Sequence, residues 1–262
     1  AATPETPDNK ESFWFVKDIS RSKRSELRLQ RANDELSAFA YRTSHDLRAP
    51  LMSIKGLLQL AGRSLQKGKH EIASEAIHKC GTALSKLDTT VEDVLTLSRL
   101  EHGEVSVEAV SVQEMIEDIQ QQFCEMQNYH SIRFEIELKH EEPLFSEASR
   151  LSQILANLIS NAIKYADLSQ QSPVIKICSE TRGDRLILSV EDNGIGIPEQ
   201  ARERVFGMFQ RFHTGKAYGS GLGLYLVQKN VEAIGGEIVY EPCSPGSRFV
   251  LNLPQQRSKH EH

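Results

Sequence analysis

The stretch Ser44-His45-Asp46-Leu47-Arg48-Ala49-Pro50 sets a histidine directly before an acid and a few residues before a proline. A neutral imidazole is a nucleophile when one ring nitrogen keeps its lone pair and the proton on the other has a partner. Asp46 is placed to be that partner, so the pair suits receipt of a phosphoryl group on His45. Three further groups could meet a nucleotide. Asn157, Asn161, Lys164 and Tyr165 recur at intervals of three and four residues, which puts them on one face of a helix. Amide oxygens there can bind Mg²⁺ and a lysine can bind phosphate, although such a stripe is equally the ordinary solvated side of an amphipathic helix. Asp192 ends a strand-like run and is followed by Gly194 and Gly196, so a carboxylate able to accept from an exocyclic amine such as adenine's lies beside a closely approachable backbone. An Asp-Asn-Gly turn is also a common strand ending. Gly219, Gly221 and Gly223 precede a helical pattern, where free N–H groups favour phosphate. With no Gly-Lys-Ser/Thr after them and no surrounding βαβ unit, they form neither a Walker motif nor a Rossmann fingerprint.

The elements that must position these groups fall into two textures. From Leu29 a heptad runs through Leu36, Thr43, Pro50 and Leu57, with Asn33, Ala40, Leu47, Ile54 and Ala61 at the second seam position. His45 then occupies a solvent-facing position. Pro50 interrupts the backbone hydrogen bonding just after it, and a kink is expected there. Lys67-Gly68-Lys69 allows a turn, and a second helix of about residues 71–100 repeats the seam with Ala73, Cys80, Leu87 and Val94, and with Ile77, Leu84, Val91 and Ser98. Two antiparallel helices bury too little alone, so a second copy is expected to complete a four-helix bundle.

After Gly103 the elements shorten. Ser111-x-x-Glu114 reads as a capping box opening a helix to about residue 127. A strand with Ile132, Phe134, Ile136 and Leu138 follows, then a helix of about 147–166 whose apolar face is Leu151, Ile154, Leu155, Leu158 and Ile159. A hairpin of 174–180 and 185–191 turns at Gly183-Asp184, and a helix of about 222–234 leads to strands at 237–241 and 248–253. Helices segregated from strands imply an α+β sandwich, a mixed sheet with its helices on one face. The expected organisation is a tail with an aromatic stub at Phe13–Val16 and a charged helix (1–31), a dimerisation and phosphoacceptor hairpin (32–103), a catalytic domain (104–255) and a polar tail (256–262).

A length of 262 residues suits about two domains, and 39% hydrophobic with 26% charged residues describes a globular chain. A net charge of −5 offers no footprint for nucleic acid. The 4 cysteines stand singly, which indicates neither a zinc site nor a disulfide framework and fits a reducing cytoplasm. No run approaches the ~18 apolar residues of a membrane helix. The abrupt start hints at truncation, and one expectation is the cytoplasmic part of a larger, membrane-linked sensor.

Taken in order, the motifs resemble those of the sensor histidine kinases. The resemblance covers about residues 32–254: an H box at Ser44–Pro50, an N box at Asn157–Tyr165, a first glycine box at Asp192–Gly196, a phenylalanine box at Phe206–Phe212 and a second glycine box at Gly219–Gly223. The exit of a PAS domain and its signalling helix is resembled upstream by Asp18-Ile19-Ser20 and the charged run after it.

The resemblance implies autophosphorylation of His45 from ATP and transfer to an aspartate on the receiver domain of a response regulator, by a homodimer. It implies that Asp46 orients the imidazole, that Asn161 binds Mg²⁺ beside Asn157, and that Lys164 and Tyr165 contact phosphate or ribose. Asp192 would read adenine in a pocket shaped by Gly194 and Gly196. Arg211 would reach the γ-phosphate, and Gly219, Gly221 and Gly223 would line the phosphates from a lid of about 207–220. Two other classes compete. ATPases related to gyrase, Hsp90 and MutL carry a glutamate one turn before the metal-binding asparagine, and Asn157 stands there instead, an amide that cannot activate water. A catalytically silent ATP-binding scaffold is disfavoured by the full set of boxes. One departure matters: Ala49 stands where many relatives have a Thr or Asn implicated in removing phosphate from the regulator, so weak phosphatase activity is expected.

Overall fold

A computed structural model describes residues 20–100, 106–140, 144–170, 172–213 and 220–255. The aromatic stub at Phe13–Val16 lies outside them, as does Gly219. The chain divides into two compact units, Ala1–Arg42 and Thr43–His262. Within the first, the described residues form the opening part of a helix; everything below concerns the second.

Helix α1 (Ser20–Gln66) runs unbroken through Pro50, and α2 (His70–Leu100) returns from it. The turn between them closes the end of α1 with two paired bonds, Lys69 N–H to the Ser64 carbonyl at 2.8 Å and Gly68 N–H to the Leu65 carbonyl at 3.0 Å. Small side chains let the two helices approach: Ala61, Ala73 and Ala76 form a buried cluster under Leu57. Cys80 is buried farther along. The second seam set behaves differently, because Ile77 and Leu84, with Leu51 and Leu58 of α1, stay more than half exposed. One hairpin can fill one side of its seam and leaves the other facing outward.

The α+β part is built from β1 (Glu108–Val110), α3 (Val112–Phe123), β2 (Arg133–Lys139), β3 (Leu144–Ser146), α4 (Ala148–Lys164), β4 (Val174–Arg182), β5 (Arg185–Asp192), α5 (Gly223–Ala233), β6 (Glu237–Pro242) and β7 (Ser247–Pro254). Five strands make a mixed sheet in the order β2-β4-β5-β7-β6, parallel only between β2 and β4. A second, two-stranded sheet pairs β1 with β3. Its three-residue strands were not expected from the sequence, being too short to show an alternation. Helix α3 also ends four residues short of its expected reach. Cys124 to Asn128 form turns, and a 3-10 turn at Tyr129–Ser131 leads into β2.

Periodicity explains the core. On α4, Leu151, Ile154, Leu155, Leu158, Ile159 and Ile163 are all but fully buried, one apolar face at i, i+3, i+4 spacing. They pack against the inward residues of β5, Leu186, Leu188 and Val190, and of β7, Phe249, Leu251 and Leu253. Several outward residues of the sheet are charged and paired, as in Lys176 with Glu137 at 3.1 Å. Ser111 caps α3 by accepting from the Glu114 N–H at 3.3 Å, and α5 ends on Gly235 (φ +77°) with Gly236 N–H bonded to the Val231 carbonyl at 2.8 Å.

Candidate functional site

His45 lies in α1 with its side chain 71% exposed, and its Nδ1 is 3.1 Å from Asp46 Oδ1. A carboxylate oxygen only accepts, so this contact favours the proton on Nδ1 and leaves the Nε2 lone pair directed to solvent.

Seven of the other candidate residues, Asn157, Asn161, Lys164, Tyr165, Arg211, Gly221 and Gly223, gather around a cleft of about 440 Å³. From α4 and its end come Asn157, Asn161, Lys164 and Tyr165, the half-buried stripe opposite the apolar face. Gly221 and Gly223 reach it from the start of α5, and Gln210, Arg211 and Phe212 from the segment before it. Close packing explains one glycine: a Cβ on Gly223 would sit 2.9 Å from Asn157 Oδ1. Asn157 itself is oriented by donating to the Gln153 carbonyl at 3.0 Å. Burial pushes Lys164 below the ordinary lysine value, against the opposing charge of Asp93. Burial also pushes the Tyr165 phenol up, against the charge of Arg211.

Asp192, Gly194 and Gly196 are not among the residues lining this cleft; Gly194 packs against the Tyr165 carbonyl and Gly196 against Gly246. Asp192 Oδ1 accepts from the Gly194 N–H at 2.8 Å, and the Tyr165 carbonyl accepts from the Ile195 N–H at 3.1 Å. The end of α4 is thereby tied to the loop after β5. Burial pushes the Asp192 carboxyl up to about 6; bonds from the N–H groups of Gly194 and Ser247 oppose the shift and the charge of Glu191 adds to it.

Several participants carried no signal in the sequence reading. His213 donates from Nε2 to the Gly196 carbonyl at 2.8 Å and its ring lies 6.0 Å from that of Tyr165, so it joins the phenylalanine box to the first glycine box. Its place immediately after Phe212 was the available hint. Phe206 anchors the same segment edge-on against Phe249, centroids 6.3 Å apart. Asp88, Thr89, Glu92 and Asp93 of α2 also line the cleft, as do Gln122 and Phe123 of α3 and Met126 just after it. Nothing local in α2 marks these residues, since the α4 and α5 groups on the same cleft, from Asn157 onward, follow more than sixty residues later.

Fold and cleft define a class: a layered α/β domain with a polar nucleotide-sized cleft, preceded by a helical hairpin that displays a histidine. Residues 146–257 match the family described as "Histidine kinase-, DNA gyrase B-, and HSP90-like ATPase", and residues 35–103 match "His Kinase A (phospho-acceptor) domain". Among curated proteins, the phytochrome-like protein Cph1 of Synechocystis sp. is 33% identical over 228 residues, 86% of this chain and 30% of that protein. Among solved structures, the Acinetobacter baumannii histidine kinase AdeS superposes with a TM-score of 0.65 at 26% identity, covering 81% of this chain and 98% of AdeS. Histidine kinase ThkA in complex with response regulator protein TrrA gives a TM-score of 0.63 at 25% identity, covering 92% of this chain and 68% of that one. The chain belongs to the sensor histidine kinases. The match to the ATPase family implies that the second domain binds ATP. The chain spans about 30% of the length of Cph1. Among the described residues no helix is long and apolar enough to cross a membrane.

Proposed function

We propose that this chain phosphorylates itself on His45 from ATP and passes the phosphoryl group to an aspartate of a response regulator. The observation that carries the reading is the pairing, in one chain, of an exposed His45–Asp46 couple with a cleft whose metal-side residue Asn157 is an amide. An amide cannot deprotonate water, so the cleft lacks a base at the position where hydrolytic relatives have one.

In the transfer, His45 Nε2 forms a bond to the γ-phosphorus of ATP while the bond from that phosphorus to the bridging oxygen breaks, and ADP leaves. The imidazole becomes positively charged as it reacts. Asp46 compensates that charge and takes the Nδ1 proton, 3.1 Å away. Lys164 offers a point charge to the phosphates and Arg211 reaches the γ-phosphate, which suits a reaction governed by positioning and charge neutralisation. Mg²⁺ suits the oxygen donors of this cleft, with Asn161 as protein ligand beside Asn157, because that ion keeps several waters and needs few protein ligands. When bound, it would neutralise phosphate charge. Asp192, held by Gly194, would read the adenine amine; Tyr165 would contact ribose or phosphate, and Gly219, Gly221 and Gly223 would line the phosphates. Exposed Leu51, Leu58, Ile77 and Leu84 support a homodimer in which a second hairpin completes the bundle.

The test uses ATP labelled at the γ-phosphate. Acid-labile, alkali-stable label on the protein is expected, absent in His45→Gln and abolished by Asn161→Ala. Label surviving on the His45 variant would remove the proposal.

A further inference from the structure

The cleft that is read as the phosphate site already holds an anion supplied by the chain. Ser220, at the start of the α5 segment, donates its hydroxyl proton to Asp93 Oδ2 on α2, and the same Ser220 Oγ accepts from the Leu222 N–H at 3.1 Å. A relay thus runs from the amide-rich start of α5 through Ser220 to a carboxylate. Lys164 lines the same cleft, and its charge and that of Asp93 oppose the desolvation of both groups. A cation, a hydroxyl and a helix N-terminus are the groups that would receive a phosphate oxygen. Asp93 occupies the hydroxyl among them. It is half-buried in doing so, and Asp88 and Glu92 line the same cleft beside it. Three carboxylates facing a cleft would repel a polyanion entering it.

We propose that Asp93 is an internal competitor of the nucleotide: docked on Ser220 in the cleft that Lys164 also lines, it holds α2 against the cleft in a closed state, and ATP binds only when Asp93 is released. This rests on the ATP-site reading and adds a control to it. Any force on the hairpin that shifts α2 changes the fraction of molecules open to nucleotide, and with it the apparent affinity.

The test measures binding of a fluorescent ATP analogue with Mg²⁺ to the full chain, wild type, Asp93→Asn, Asp93→Ala and Glu75→Gln. The last variant alters an exposed acid of α2 paired with Lys79, away from the cleft. Removing the competitor is expected to tighten binding about fivefold or more in both Asp93 variants, the reciprocal of the open fraction, and to leave Glu75→Gln at the wild-type value. Amide hydrogen exchange of residues 88–96 in the wild type is expected to quicken when ADP saturates the protein. Unchanged or weaker binding by both Asp93 variants, equal tightening by Glu75→Gln, or slowed exchange on α2 would each overturn the competitor while leaving the ATP site standing. If neither wild type nor variants bound nucleotide, the ATP-site reading would fall and this inference with it.

Discussion

Gly194 lies so close under Tyr165 that a Cβ at that position would sit 2.4 Å from the Tyr165 carbonyl oxygen. That oxygen accepts the Ile195 N–H at 3.1 Å, so the contact is the seam between α4 and the loop carrying Asp192. Because the obstructing atom is backbone, Gly194→Ala must push the loop away from α4. We expect a stability loss of ~1–3 kcal/mol, as for other overpacked sites, and at least ~10-fold weaker nucleotide binding, on the order of the 1.4 kcal/mol that a tenfold change represents. Thermal unfolding and an ATP-analogue titration measure both. Wild-type affinity in a folded Gly194→Ala protein would show that this seam does not shape the nucleotide pocket.

The raised carboxyl of Asp192 makes two quantities move in opposite directions with pH. Its folded value of about 6 lies above the ordinary 3.8, so the ionised form is the one that folding penalises. That penalty is present above pH 6 and is relieved as the pH falls from about 6 toward 4, so stability contributed at this site rises on acidification. Nucleotide binding should do the reverse, since the ionised oxygen is the better acceptor for an adenine amine. About a tenth of Asp192 remains ionised one unit below its pKa, which corresponds to ~10-fold weaker binding at pH 5 than at pH 7.5. Asp192→Asn provides the reference, because the phosphates of the nucleotide titrate alike in both proteins. Superimposable pH profiles for the two proteins would rule the assignment out.

Glu147 and Arg150 form a buried ion pair at the start of α4, 2.6 Å apart with side chains 7% and 12% exposed. Arg150 also reaches the fully buried Asn230 of α5 at 3.5 Å. Glu147→Ala removes the carboxylate beside the Arg150 guanidinium and is expected to cost about 3–5 kcal/mol. Replacing both partners, Glu147→Leu with Arg150→Met, should recover most of that loss, since no charge is then left buried. Denaturant unfolding of the single and double variants decides it. A single variant within ~0.5 kcal/mol of wild type would show that solvent reaches the pair.

Ala49, one helical turn after His45, has no side-chain group to orient a water. Weak dephosphorylation of the partner regulator is expected, with a several-fold gain in Ala49→Thr. Following loss of label from the phosphorylated regulator tests this. Rapid loss with the wild-type chain, unaffected by the substitution, would contradict it.

How much of this was legible in the sequence depends on how local the cause is. The apolar face of α4 and the alternation of β5 could be read directly, because i, i+3, i+4 and period-two patterns follow from backbone geometry within a dozen residues. The exposure of His45 followed from counting a heptad. The pairing of β1 with β3 could not be read, since Val110 meets Leu144 across a gap that no three-residue pattern encodes. The bond from the Ile195 N–H to the Tyr165 carbonyl was hidden for the same reason: the motif names a carboxylate and two glycines, but not the helix end they pack against.

Within α2 the limit is sharper. The heptad identified both seam sets, yet only packing decided that Ala73 and Cys80 are filled from within the hairpin while Ile77 and Leu84 face outward. Asp93 reads in sequence as one more acid on a solvated helix face. Its hydroxyl partner Ser220 is 127 residues away, so the tertiary structure alone brings them together. By itself the sequence determined which residues could form helices and strands and which side chains carry the chemistry, because those depend on neighbours along the chain. The tertiary structure decided which of them meet, because burial and charge are settled by neighbours in space.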